Sequence, residues 1–217
     1  MASRLISAVA VLAFAASACA ADPADPAPPG PARASGAAPG ATAAPDPLER
    51  LRRPWATAPL RPGEPCPVTT ESRSPDPAFG PVRGMGPVGP VGLDPGGVLR
   101  YSVPESGQGW GDWDWGWQKV MWAVDPAVTT PVLVRGRRLD GPGEVGFDDP
   151  VARELVLDPE RDAAPGGWRD HPSATRVRAP GCYAYQADTD QGSFTVVFRA
   201  VGPVMTPAPG RAREGQE

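Results

Sequence analysis

Apolar residues recur at every second position along this chain, and nowhere does a supported 3.6-residue period run over ten residues or more. Phe194, Val196 and Phe198 alternate with Thr195, Val197 and Arg199. Val120, Trp122 and Val124 alternate with Lys119, Met121 and Ala123. Val132 and Val134 face opposite Leu133 and Arg135, and Leu155 and Leu157 flank Val156. Successive side chains on extended backbone point to opposite faces, so this period builds sheets with one face in a core. Turn signals divide the runs: Asp94-Pro95-Gly96-Gly97, Asp140-Gly141-Pro142-Gly143, Ala164-Pro165-Gly166-Gly167 and Asp190-Gln191-Gly192. Short strands divided by such turns imply an all-β domain, a sandwich or a barrel. Gly-Pro-Val occurs at Gly80, Gly86 and Gly89, too few times and out of register for a collagen helix. Proline cannot donate to a central ladder, so that stretch reads as an edge or a loop.

The N-terminus reads as an export signal. Arg4 supplies a positive charge, Leu5 to Ala16 form a short apolar run, and Ala16-Ser17-Ala18 precede Cys19. The run is too short to span a bilayer. Small residues ahead of a cysteine suit a lipoprotein signal peptidase, which predicts acylation of Cys19 after removal of the leader. A lipobox usually carries Leu where Ala16 stands, and Ala18-Cys19-Ala20 also fits ordinary secretory cleavage, the alternative reading. Either way Cys19 is acylated or discarded, leaving Cys66 and Cys182. Export places that even pair in an oxidising compartment, where it is expected to form a disulfide tying the first strand to the penultimate one.

Between Ala21 and Arg50 nearly every position is Ala, Pro, Gly or charged, and Leu48 is the sole large aliphatic. Such a segment cannot bury enough apolar surface to offset its ordering entropy. It is read as a disordered linker biased to polyproline II, able to hold a domain up to ~90 Å from an anchor. The expected organisation is a signal peptide over 1–19, a linker over 20–50, a β-sandwich domain over 51–201 and a disordered tail over 202–217. The net charge of −4 argues against nucleic acid and against a polybasic membrane-surface binder. Lys119 is the single lysine, which with abundant Ala, Gly and Pro points to GC-rich coding rather than to a functional preference for arginine.

The C-terminal third carries the most specific stretches: Gly167-Trp168-Arg169-Asp170, Pro172-Ser173-Ala174-Thr175-Arg176, Ala179-Pro180-Gly181-Cys182-Tyr183-Ala184-Tyr185-Gln186, and Phe194-Thr195-Val196-Val197-Phe198-Arg199-Ala200. With Val132-Leu133-Val134-Arg135-Gly136 and Arg138-Leu139-Asp140-Gly141, they resemble exported bacterial proteins, mainly actinobacterial, that carry a Pro-Gly-Cys-Tyr-Ala-Tyr-Gln type signature. The resemblance covers roughly Pro65 to Val201. It implies a single immunoglobulin-like antiparallel β-sandwich behind a signal peptide, and it implies no activity. An aromatic often stands at the place of His171 in such proteins, which weakens any catalytic reading of this histidine.

Candidate sites are few. Trp113, Trp115 and Trp117 lie two apart, with Trp110 and Trp122 nearby, and on extended backbone the three share a face. A flat aromatic row can stack on the C–H faces of sugar rings, with Asp112 and Asp114 accepting hydroxyls; the competing reading is packing against a sheet. His171, the only histidine, is expected on a solvated loop and lacks partners for metal or nucleophilic chemistry. Asp188-Thr189-Asp190-Gln191-Gly192 faintly echoes a calcium loop, but Arg199 stands where the bidentate Glu belongs, so a hairpin turn is favoured. Asp148 and Asp149 before Pro150 read as a loop. Arg135, Arg137, Arg138, Arg176 and Arg178 suggest a basic stripe on one sheet.

These readings predict a non-catalytic cell-envelope lipoprotein, monomeric and without catalytic residue, metal or cofactor. Its partners are the membrane, through the lipid on Cys19, and a cell-wall glycan. A carbohydrate-binding module using Trp113, Trp115 and Trp117 is the alternative, and a secreted hydrolase is the third class.

Overall fold

A computed structural model describes Asp46 and residues 48–74, 79–103, 114–161 and 167–205. Cys19, Trp110, Asp112 and Trp113 lie outside the described residues. A short 3-10 turn, Glu49–Leu51, precedes eleven strands. These are β1 (Ser72–Arg73), β2 (Val82–Arg83), β3 (Val88–Val91), β4 (Val98–Arg100), β5 (Gly116–Val124) and β6 (Val132–Arg138). They continue as β7 (Gly146–Phe147), β8 (Glu154–Leu157), β9 (Arg169–Val177), β10 (Gly181–Thr189) and β11 (Gly192–Val201).

The strands form an immunoglobulin-like β-sandwich. A five-stranded sheet runs in the order β4-β11-β10-β6-β8, and a four-stranded sheet in the order β3-β5-β9-β7. From β5 to β10 the chain changes sheet at every connection. Pairings are antiparallel except β4 with β11, which is parallel. β1 and β2 form a small ribbon of their own.

The period-two pattern sets the core. Val120, Trp122 and Val124 from one sheet meet Val132, Val134, Tyr183, Tyr185 and Phe198 from the other. The Tyr185 and Phe198 rings stack at 4.3 Å, and Trp122 meets Tyr185 edge-on at 5.0 Å. Each such pair adds about 0.5–1.5 kcal/mol beyond area burial. The buried Tyr185 hydroxyl is satisfied by Thr175 at 2.8 Å. β10 and β11 are joined by a tight turn at Asp190 and Gln191, so the Asp188–Gly192 stretch is the hairpin, as the sequence favours. The Gly-Pro-Val stretch ends in β3, an edge strand, where Pro90 costs no central ladder bond.

Three expectations need correction. Cys66 belongs to no strand; it sits in an extended segment that crosses the outer face of the five-stranded sheet. His171 is not on a solvated loop. It pairs with Trp122 across β9 and β5, faces the core and is 8% exposed. Burial, followed by the charges of Arg161 and Arg169, lowers its pKa below the ordinary value. The arginines form no common stripe: Arg135, Arg137 and Arg138 belong to β6 in one sheet, and Arg176 to β9 in the other, fully buried. Leu51 is buried, the Tyr101 hydroxyl donates to the Pro203 carbonyl at 2.6 Å, and the Met205 N–H donates to Arg178. Burial pushes the pKa of that tyrosine up to about 12.

Candidate functional site

The two outer sheet faces differ in what covers them. On the five-stranded sheet, residues 52–69 form a strap held mostly through its backbone. Gln186 is fully buried beneath it and uses both ends of its amide: Oε1 accepts from the Ala56 N–H at 2.8 Å, and Nε2 donates to the Pro54 carbonyl at 3.1 Å. Arg135 donates to the Arg53 carbonyl at 2.6 Å, and Arg137 donates to the Thr57 carbonyl. Both guanidinium groups lie over the Trp55 ring, at 5.1 and 4.7 Å. Further along, Leu60 donates to Leu139, and Thr69 exchanges hydrogen bonds with Val197.

Beneath the strap, Asp188 is fully buried and fully engaged. It accepts from Arg135 at 2.6 Å, from Gln186 at 3.0 Å and from Ser193 at 2.5 Å. A buried carboxylate needs such compensation, because desolvation costs several kcal/mol per ion. The Cys66–Cys182 disulfide then pins the strap to the start of β10, with Cα atoms 5.5 Å apart. The expected bridge is therefore formed, but it fastens the strap to one sheet rather than joining strands.

Among the described residues, the outer face of the four-stranded sheet is covered at both ends and carries a groove between them. At one end Phe79, Val82 and Ala123 form a buried cluster, with Met121 and Trp168 against it. At the other end Trp115 is 3% exposed, with the Arg153 and Arg178 guanidinium groups over its ring at 5.2 and 4.3 Å. Trp115 precedes β5, which begins at Gly116. It is packing, not part of an open platform.

Between these ends lies a groove of about 360 Å³, bounded by Trp117, Lys119, Asp148, Pro172, Ser173 and Ala174. The β5–β9 register explains it: Trp117 and Lys119 stand on the face shared with Arg176 and Ala174, opposite to the core residues Val120 and Trp122. Trp117 is half-buried, while Lys119 and Pro172 are exposed. The volume is at the small end of ligand sites.

Asp148 is the other constrained feature of the groove. Its φ of 55° places it in the left-handed region, which Asp tolerates better than most residues. Three bonds hold it there. Its N–H donates to the Ala174 carbonyl at 2.9 Å, and its Oδ1 accepts from the Ala174 N–H at 2.7 Å. Its carbonyl accepts from Arg176 Nε at 3.1 Å. Among the described residues, no three His, Cys, Asp or Glu side chains converge on a point that could hold a metal ion.

Of the tryptophans singled out by spacing, the structure brings Trp117 to the groove and buries Trp115; Trp113 falls outside the described residues. Lys119 and Asp148 were missed as groove residues. Lys119 sits two positions from Trp117, so the strand period already places both on one face. Asp148 comes from a different part of the chain and carries no such local signal.

No family model and no curated protein matches the chain. Among solved structures, the CooA pilin subunit from enterotoxigenic Escherichia coli aligns at 8% identity with a TM-score of 0.33. That alignment covers 55% of this chain and 99% of the pilin chain.

Proposed function

We propose that this chain is a non-catalytic cell-envelope protein: an exported β-sandwich, held to the membrane by a lipid on Cys19 and carried on a proline-rich stalk. Its work is binding or structure. The observation that carries this reading is the Cys66–Cys182 bridge. It closes a strap over an already complete sheet, and structural bridges of this kind form and persist chiefly in oxidising compartments. The leader preceding Cys19 supports the same address. The test is the intact mass of the protein in the membrane fraction. An acylated N-terminus at Cys19 is expected. An unmodified N-terminus at Ala21, with protein only in the medium, would defeat the anchor and leave export standing.

One observation favours a second reading, the carbohydrate-binding module. The groove on the four-stranded sheet presents Trp117 beside Pro172 and Ala174, an apolar floor with polar groups at its rim. Of the tryptophan trio, Trp117 rather than Trp115 would carry the stacking. A glycan array probed with the mature protein tests it; a bound glycan is expected to be lost with Trp117→Ala and kept with a distant surface substitution.

A further inference from the structure

The groove also says what kind of saccharide would fit. We propose that it binds a saccharide bearing a carboxylate, with the sugar ring on Trp117, the carboxylate on Lys119 and a ring hydroxyl on Asp148. The inference rests on the carbohydrate reading of this groove.

Three features argue for it. The floor is apolar but short, bounded by Trp117, Pro172 and Ala174 and closed at both ends of the sheet. A groove of about 360 Å³ is at the small end of ligand sites and suits a compact or partly enclosed ligand. The rim carries opposite charges, Lys119 and Asp148, which an apolar ligand would leave unused. A sugar has hydroxyl donors for a carboxylate acceptor, and an acidic substituent suits an ammonium group on a flexible stem.

The third feature is how Asp148 is held. Its N–H and Oδ1 both engage Ala174 and its carbonyl accepts from Arg176, which fixes the carboxylate at the rim of the groove. Lys119 complements this fixed group. It is exposed on β5 and free to reach an anionic substituent whose position varies with the linkage.

Isothermal titration of the mature protein with trigalacturonic acid and with neutral galactotriose tests the proposal. The acidic trisaccharide is expected to bind at least ~10-fold more tightly, the scale of one charge-assisted hydrogen bond. Added salt should reduce that preference. Lys119→Gln should erase it, and Lys119→Glu should abolish binding of the acid. Both variants should keep the wild-type melting temperature, because Lys119 is exposed. Equal binding of the two sugars, with Lys119→Gln inert, overturns the carboxylate inference and leaves the carbohydrate reading standing. Binding of neither sugar, with a glycan array also blank, overturns both.

Discussion

Replacing Gln186 with Leu should loosen the strap and destabilise the domain by about 3.5–5 kcal/mol. The side chain is fully buried and comparable in volume to Leu, so the lost hydrogen bonds dominate the change. The substitution removes the acceptor of the Ala56 N–H at 2.8 Å and the donor to the Pro54 carbonyl at 3.1 Å. Each such bond contributes about 1 kcal/mol net. It also removes a donor to Asp188 at 3.0 Å, a bond to a charged group of about 1.5–3 kcal/mol. Urea denaturation gives the total. Hydrogen exchange at the Ala56 amide gives the local part, which should become unprotected well before the core. A loss below about 1 kcal/mol, with Ala56 still protected, would refute the view that the strap is held by its backbone through Gln186.

Removing the bridge with Cys66→Ser and Cys182→Ser frees a loop of 116 residues in sequence separation, which the loop-entropy relation values at about 5 kcal/mol at most; a change under about 1 kcal/mol in urea denaturation would contradict this. Trp115→Ala should cost about 3–5 kcal/mol, as for a large core truncation, because the ring is 3% exposed between Arg153 and Arg178. Wild-type thermal stability for that variant would show the ring to be free. His171 titrates below its ordinary value, so the neutral form is favoured in the fold. The stability it contributes is full above about pH 6.5, the unfolded value, and is lost as pH falls toward the lower folded value. His171→Phe should flatten that acid-side slope in denaturation curves below about pH 6.5; an unchanged slope would place its origin in other groups.

Arginine shows why some of the structure was hidden. The chain has 31 prolines, each without an N–H, so its loops hold carbonyls with few backbone donors. Arg83 supplies donors to the carbonyls of Thr70, Asp94 and Pro95, and Arg169 to those of Pro159, Asp125 and Val128. A guanidinium offers five donors in a fixed fork, which suits such clustered acceptors. The folded loops determine which of the arginines are buried. A sequence pattern that treats period-two charge as a solvated face places Arg176 outside, whereas it is fully buried.

What the sequence by itself determined is what depends on neighbours along the chain. The alternation of Phe194 to Arg199 and of Lys119 to Val124 specified strands and their core faces, because successive side chains on extended backbone must point opposite ways. The turn at Asp190 and Gln191 followed from residue type, and the disulfide from the even cysteine pair, Cys66 and Cys182, that the export reading leaves. Only the tertiary structure decided the rest. The strap has no alternation to read, because it docks by backbone groups onto side chains about 80 to 130 residues away. His171 reads as polar yet lies on the core side of β9, because its register against Trp122 sets its face. The groove brings Asp148 beside Trp117 and Lys119 only once β7, β9 and β5 are neighbours, and strand order is a property of the whole sandwich, not of any local run.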